Sequence, residues 1–299
     1  MSANAIALLA AAIAFTVAFV FVELRAEEPI IPMRLFRNPI FTVGNIFGFL
    51  IGFAMFGGAI YLPLYLHTVQ GMSPTRSGLG LLPMVLGVFS MSIGSGLLIT
   101  KTGRYNIFPI LGAAILAGAL FLLSTIEVDS PYWLVAIYAY LFGTGLGLAM
   151  MTIVTPIQNA VEMRDMGAAT SSTTFGRSLG GAIGAAMFGA ILTSRLSVYL
   201  AQELNGGTGA ATTGGEISTN NIQAIQALPQ PLKTEVLTAY THAITDVFLL
   251  AIPIIIVALI VVFFLKEIPL RSGQLTAAPA TTDKAEQHVD SNVPAFSGH

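Results

Sequence analysis

Long apolar segments alternate with short polar ones along this chain, and the pattern predicts its helices directly. Seven apolar segments reach the roughly 17–25 residues that a helix needs to cross a bilayer. They are residues 3–22, 39–66, 77–99, 105–126, 132–159, 174–194 and 246–265, numbered here as spans 1 to 7. The pattern therefore predicts an all-α polytopic membrane protein with seven transmembrane helices.

Span 5 carries the most regular polar pattern. Residues 132–161 hold no charge, and their polar or small positions recur at intervals of 4, 3, 4, 4 and 3, which is one face of a helix. This polar stripe consists of Tyr140, Thr144, Gly147, Met151, Thr155 and Gln158. Two interpretations stay open from the stripe alone: a buried packing face, where small residues let helices approach, or the lining of a substrate path.

Two other spans add candidate site residues. Asn45 in span 2 can line a cavity or form a hydrogen bond to a neighbouring helix. Arg177 opens span 6 beside Gly176, Gly180 and Gly184, which are spaced four apart as in a close helix contact. Its guanidinium can hold an anionic group or a carboxylate, or it can extend toward the membrane interface.

Composition restricts the class of protein. The 299 residues are 55% hydrophobic and 9% charged, whereas a soluble domain is about a quarter charged. Without cysteine there is no disulfide, zinc-thiolate site or thiol nucleophile, and the four histidines show no metal spacing. We therefore expect no metal and no cofactor, and no catalytic residues can be assembled for an enzyme. A net charge of −2 argues against nucleic acid as a partner.

The distribution of Lys and Arg predicts the orientation. Ten of the 13 basic residues fall on one side if the N-terminus is outside and the C-terminus is cytoplasmic. The predicted organisation is an accessory helix (1–22), a cytoplasmic linker (23–38), a six-helix bundle (39–265) with an outer loop (195–243), and a disordered cytoplasmic tail (266–299).

Spans 2–4 and 5–7 form two similar triplets. In each, the first span carries polar and glycine positions, the second is rich in small residues and the third is plainly apolar. Such a gradient is typical of a cavity helix, a packing helix and a lipid-facing support helix. Two triplets of this kind predict the 3+3 inverted repeat found inside one half of a transporter.

Four segments give the sequence a family resemblance. They are EEPIIPMRLFRNPIF before span 2, YLPLYLHTVQGMSPTRSGLGLLP across spans 2 and 3, GLLITKTGRYN between spans 3 and 4, and FGRSLGGAIGAA in span 6. Together they resemble the C-terminal part of the major facilitator superfamily, in its fourteen-span drug:proton antiporter branch. The resemblance covers roughly residues 1–270 and makes span 1 an accessory helix and spans 2–7 the C-terminal six-helix bundle.

The resemblance implies alternating-access export of small amphipathic compounds driven by protons, in the bacterial cytoplasmic (inner) membrane. Its partners would be the lipid bilayer, the missing N-terminal half of the transporter, the substrate and protons. The resemblance favours the substrate path for the polar stripe, so Asn45, Tyr140, Thr144, Met151, Thr155 and Gln158 become candidates for lining the substrate cavity. Lys101, Gly103, Arg104 and Arg177 become candidates for an inner gate. Thr100 stands where the family pattern has an Asp, and no Gly-Pro pair, the antiporter signature, occurs in the chain.

Every Asp and Glu lies in a loop, in the tail or at a span end, with Glu23 and Asp246 closest to the membrane. The sequence therefore names no buried carboxylate as a proton carrier. We interpret the chain as half of an exporter, incomplete alone. The alternatives are a major-facilitator transporter of another solute, or a seven-span receptor or scaffold. Retinal binding is disfavoured because every lysine lies in a loop or at a span end.

Overall fold

The fold is that of a computed structural model, which describes residues 33–103, 105–206, 229–230 and 232–265 and scattered positions between 10 and 25. The side chains of residues 33, 151–152 and 203–206 are not described. Its α-helices are α1 (Pro39–Thr68), α2 (Pro74–Leu79), α3 (Leu82–Thr102), α4 (Ile107–Leu123), α5 (Tyr132–Ala160), α6 (Met166–Gly206) and α7 (Leu232–Phe263). Short 3-10 helices, Met33–Arg37 and Met163–Asp165, precede α1 and α6. Predicted span 1, the accessory helix, falls largely outside the described residues, as does the predicted tail.

The predicted spans correspond to these helices, because α1 is span 2 and α3 to α7 are spans 3 to 7. Among the described residues, five stretches are long and apolar enough to cross a membrane: Pro39–Thr68, Pro74–Thr102, Tyr132–Ala160, Met163–Gln202 and Leu232–Phe263. The helix of span 4, Ile107–Leu123, is apolar but has only 17 residues. No strand occurs in the part of the chain that the structure describes.

Local sequence explains where several helices begin and end. Asn38 caps α1 by accepting a hydrogen bond from the Ile40 N–H at 3.0 Å, and Pro39 follows at the first helical position, where its missing N–H costs nothing. Helix α3 ends at Gly103, which has φ +68° and donates its N–H to the Ile99 carbonyl at 2.8 Å. A left-handed backbone conformation at the end of a helix favours glycine, which has no Cβ to clash.

Span 3 is interrupted where the pattern predicted one continuous helix over residues 77–99. Helix α2 ends at Leu79, and α3 begins at Leu82 with Pro83 in its first turn. Proline lacks an N–H, and its ring clashes with the carbonyl four residues earlier, so an unbroken helix through this point is disfavoured. The proline accordingly starts a new helix.

Helix α6 begins before residue 174, where span 6 was predicted to start, and it includes the polar residues 168–174. They lie in the first turns of α6, which begins at Met166 and runs for 41 residues. Five consecutive hydroxyls donate hydrogen bonds to the carbonyl four residues back, at 2.7–3.0 Å: Thr170, Ser171, Ser172, Thr173 and Thr174. Each polar side chain is thus satisfied by its own helix, so a polar run does not end it.

Helices α1 and α5 are the most enclosed. Helix α5 packs against α3, α4 and α1, and α1 packs in addition against α6 and α7. In their most apolar stretches 61% of α1 and 59% of α5 is buried inside the chain, against 17% for both the α2–α3 stretch and α6. The core therefore runs along α1 and α5, and α3 and α6 lie at its sides with large apolar side chains exposed.

The segment between α6 and α7 is shorter than the outer loop predicted over residues 195–243. Helix α6 continues to Gly206, and α7 already begins at Leu232, so both helices extend into the predicted loop. The bundle has two ends, named here after one acidic residue at each. The Asp165 end holds the starts of α1 and α6, and the Glu127 end holds the start of α5.

Candidate functional site

The middle of the polar stripe is packed against α3. Residues 142–149 of α5 are all buried, and Thr144 is 6% exposed. A Cβ on Gly143 or Gly147 would collide with the backbone carbonyl of Met84 or Val88 on α3. These glycines therefore bring the two backbones into contact. Thr144 and Gly147 form a packing face in this chain, and the Thr144 hydroxyl has no hydrogen-bond partner within the described residues.

The two ends of the stripe are more open. Tyr140 is 38% exposed, and its hydroxyl lies 3.4 Å from the Ser90 hydroxyl of α3. Thr155 and Gln158 are half-buried near the Asp165 end. The Gln158 amide donates to the Thr170 hydroxyl of α6 at 3.3 Å. The side chain of Met151 lies outside the described part. The stripe is thus divided into a buried centre and two accessible ends.

A second crossing joins α1 and α6 and brings Asn45 and Arg177 to one interface. Asn45 donates its side-chain N–H to the Phe41 carbonyl of its own helix at 2.9 Å. Its side-chain oxygen is 3.7 Å from the position that a Cβ on Gly176 would occupy. Asn45 therefore borders α6 beside Arg177, although it makes no direct hydrogen bond to α6 among those described.

Arg177 lies deeper in the bundle than its place at the start of span 6 implied. A Cβ on Gly52 of α1 would collide with the Arg177 carbonyl, and it would lie 2.9 Å from the Arg177 Cγ. Gly52 is 13 residues after Pro39 and 16 before Thr68, near the middle of α1. Arg177 is half-buried there, and its side chain makes no hydrogen bond or ion pair within the described part of the chain.

The candidate gate turn between α3 and α4 is described in part. Lys101 is exposed in the last turn of α3, and Gly103 provides the left-handed residue that ends the helix. Arg104 lies outside the described residues. The turn is also tied to α7, because Asn106 donates its side-chain N–H to the Leu265 carbonyl at 2.5 Å. Gly103 thus has a clear structural role at this turn.

Sequence reasoning missed two ion pairs. Arg34 contacts Asp165 at 2.6 Å, which joins the segment before α1 to the segment before α6 at the Asp165 end. Asp246 of α7 accepts a hydrogen bond from the Tyr199 hydroxyl at 2.8 Å and lies 3.4 Å from Arg195 of α6. The partners of the first pair are 131 residues apart, and no local pattern in a single sequence connects them.

A cleft of about 550 Å³ opens at the Glu127 end, and none of the described candidate site residues lines it. Hydroxyl and ionisable side chains from the α4–α5 turn and from the first turns of α7 line it, including Glu127, Asp129, Thr234, Thr238 and His242. No group of three His, Asp or Glu in the described ranges has metal-binding geometry. The cleft is formed by the ends of the helices, and no residue of the polar stripe whose side chain is described lines it.

Comparison with known proteins places this helical bundle in a family. The sequence profile of the Major Facilitator Superfamily matches residues 2–185, which is more than half of the chain. The chain belongs to the major facilitator superfamily. It is therefore an integral membrane protein of a transporter family, and the expectation that it is not an enzyme is confirmed.

Several relatives of this major facilitator protein extend the similarity across most of its length. An uncharacterized MFS-type transporter of Mycobacterium tuberculosis is 38% identical over 84% of the chain and 36% of its own length. The multidrug transporter protein MdtP of Bacillus subtilis is 30% identical over 95% of the chain and 56% of its own length. A tetracycline resistance determinant of Streptomyces rimosus is 34% identical over 64% of the chain and 55% of its own length. The chain spans between about a third and about half of the relatives that it matches.

Proposed function

We propose that this chain is the C-terminal half of a proton-driven exporter of small amphipathic compounds, of the fourteen-span drug:proton antiporter branch, and that it works by alternating access with an N-terminal half. The observation that carries the proposal is the pattern of coverage. Relatives match 64–95% of this chain, while the chain covers 36–56% of each relative. Two of these relatives bear the names of a multidrug transporter and a tetracycline resistance determinant.

The equal burial of equivalent helices supports a 3+3 inverted repeat within the bundle. In the predicted triplets α1 corresponds to α5, and the α2–α3 stretch corresponds to α6. The buried shares are 61% and 59% for the first pair and 17% for both members of the second. The crossings match as well, because α1 packs on α6 through glycine and α5 packs on α3 through glycine. A two-fold relation between the triplets accounts for both similarities.

Proton coupling is assigned to residues of the N-terminal half. Two of the described ion pairs, Asp165 with Arg34 and Glu162 with Arg164, lie before α6 at the Asp165 end, whereas Asp246 pairs with Arg195 near the middle of α7. A carboxylate that carries a proton across the membrane must be accessible within the transport path. Asp246, the acid nearest the membrane, is already bonded to Tyr199 and Arg195. The chain therefore contributes packing and substrate contacts rather than the proton carrier.

The basic residues support an orientation with the Asp165 end in the cytoplasm. The turn with Lys101 and the segment with Arg34 both lie at that end. This orientation places the N-terminus outside, the C-terminus inside, and the 550 Å³ cleft on the outer side. A reporter fused after His299 is expected in the cytoplasm. A reporter inserted near Gly209 is expected outside.

The function is tested by supplying the proposed missing half. This chain is expressed in a drug-sensitive bacterium alone, and then together with the N-terminal half of the Bacillus multidrug transporter, which is 30% identical over the shared region. Resistance is expected only in the pair, and it should disappear when the proton gradient is collapsed by an uncoupler. Alternating access needs two bundles that move about a shared site, so one bundle cannot provide it.

The controls separate the proposed function from its alternatives. The N-terminal half alone measures background resistance, and an epitope tag confirms that both halves reach the membrane. Full gradient-dependent resistance from this chain alone would contradict the half-transporter proposal. Resistance in the pair that survives uncoupling would contradict proton coupling. Transport of a non-drug solute by the pair would instead identify a different major-facilitator substrate.

The proposed substrate contacts are tested in the assembled pair with single cysteines, because the chain has none of its own. Cysteines at Thr155 and Gln158 are expected to react with a water-soluble thiol reagent, because both side chains are half-exposed at one end of the stripe. Thr144→Cys is expected to be protected, as is Ile153→Cys at a position only 3% exposed. Rapid labelling of the Thr144→Cys variant would indicate that the centre of the stripe lines the substrate path.

A further inference from the structure

Arg177 occupies the middle of the membrane in the proposed exporter. Its backbone contacts Gly52, which is 13 residues from one end of the 30-residue helix α1. At 1.5 Å per residue, Gly52 is about 20 Å from the start of α1 and about 24 Å from its end. A hydrocarbon core about 30 Å thick, centred on this helix, leaves the contact more than about 10 Å from either interface.

A side chain at this depth does not reach water at the membrane surface. An arginine side chain extends about 7 Å from its Cα, from standard bond lengths, which is shorter than the distance to either interface. A charged group in hydrocarbon is costly unless it faces a wet cavity or an opposite charge. Arg177 is half-buried as a residue, so its surroundings in the protein must supply one of these.

No such counter-charge comes from the described part of the chain. Arg34 and Arg164 pair with carboxylates at the Asp165 end, and Arg195, about 27 Å beyond Arg177 along α6 at 1.5 Å per residue, pairs with Asp246 near the middle of α7. Asn45 borders α6 at Gly176, the residue before Arg177, and it provides a neutral amide. Arginine therefore stands at mid-depth beside a polar neighbour, with five N–H donors available for an acceptor.

We propose that Arg177 is the binding site for one carboxylate or similar anionic group, held by its guanidinium beside Asn45. This inference rests on the proposed function for the origin of that group. The group comes either from a side chain of the N-terminal half or from an anionic substrate in the path between the halves. The planar guanidinium binds a carboxylate through two parallel hydrogen bonds, which a neutral ligand cannot reproduce.

The test measures binding of an anionic probe to the full chain in phosphatidylcholine nanodiscs. The probe is pyrenebutyrate, and its methyl ester is the uncharged match. Wild type is expected to bind the carboxylate at least about tenfold more tightly than the ester, because a hydrogen bond to a charged group adds that much. Arg177→Gln is expected to remove this preference, whereas Arg177→Lys should retain part of it.

Two controls keep the test decisive. Arg164→Gln removes another arginine, whose partner Glu162 is at the surface, and it should leave the preference unchanged. Labelling of Asn45→Cys should be slowed at least about threefold by pyrenebutyrate and not by the ester, a readout that needs no change at Arg177. No preference in wild type, an unchanged preference in Arg177→Gln, or no protection of Asn45→Cys would each overturn the proposal.

The origin of the anionic group is resolved by repeating the binding with the N-terminal half present. Retained preference identifies an anionic substrate as the ligand. Lost preference shows that a carboxylate of the other half occupies Arg177, and a carboxylate-to-amide scan of that half should restore binding. If the pair confers no drug resistance while the chain keeps its preference, the proposed function fails and the anion site stands.

Discussion

The α1–α6 and α3–α5 crossings use the same device and differ in their chemistry. In both, glycine lies directly beneath a backbone carbonyl of the neighbouring helix: Gly180 beneath that of Phe49, and Gly143 beneath that of Met84. The α1–α6 crossing also carries Arg177 and aromatic rings, whereas the α3–α5 crossing carries small residues and hydroxyls. Glycine fixes how closely two helices approach, and the residues around it decide what the contact can bind.

The aromatic part of the α1–α6 crossing has the largest expected effect. Phe188 is fully buried, and its ring packs edge-on against Phe53 at 5.2 Å. Phe188→Ala should lower the free energy of unfolding in mixed micelles by about 3–5 kcal/mol, because it leaves a cavity that the rigid crossing cannot fill. Phe89→Ala, at a position 62% exposed on α3, is the matched control and should change it little.

Glycine substitutions measure whether the two crossings are equally tight. Gly143→Ala and Gly180→Ala should each destabilise the bundle by about 1–3 kcal/mol, because a methyl group would collide with a carbonyl of the next helix. Gly96→Ala and Gly118→Ala add a methyl where nothing lies within 4 Å, and they should be neutral or slightly stabilising. A large loss of stability at one crossing alone would show that the two crossings are not equally tight.

Replacing a buried threonine with valine should change the free energy of unfolding in opposite directions at the two crossings. Thr173 faces Gly48 at the α1–α6 crossing and donates to the Ala169 carbonyl at 2.9 Å, so Thr173→Val should cost about 1 kcal/mol. Thr144 has a buried hydroxyl without a partner among the described residues, so Thr144→Val should be neutral or stabilising by up to about 1 kcal/mol. Thermal unfolding of both variants provides the measurement. Destabilisation by Thr144→Val would reveal an unseen partner.

The smallest expected effect concerns a hydrogen bond specific to the α3–α5 crossing. Ser92 of α3 donates to the Gly147 carbonyl of α5 at 3.3 Å. Ser92→Ala should reduce the free energy of unfolding by about 0.6 kcal/mol, typical of hydrogen bonds between membrane helices. Within the described residues Ser95 donates its hydroxyl only to the Ser92 carbonyl of its own helix, so Ser95→Ala is the control. An equal loss in both variants would remove any special role for the inter-helix bond.

Much of the fold was predictable because its determinants are local. The length of each apolar segment set the spans, and Asn38, Pro39 and Gly103 marked helix ends through their own backbone preferences. The extent of α6 was not predicted, since hydrogen bonds from hydroxyls to their own helix made a polar run helical. Polarity alone does not distinguish such a run from a loop.

The candidate site was predicted less well than the fold. The 3.6-residue period placed Thr144 and Gln158 on one face of α5, but the period says nothing about what covers that face. Helix α3 covers Thr144 because Gly87 and Gly143 allow close approach, and it leaves Gln158 to contact α6. The sequence determined by itself that this chain is a bundle of membrane helices with polar faces. Only the tertiary structure decided which polar residues are buried and at what depth Arg177 lies, because those depend on contacts between helices far apart in sequence.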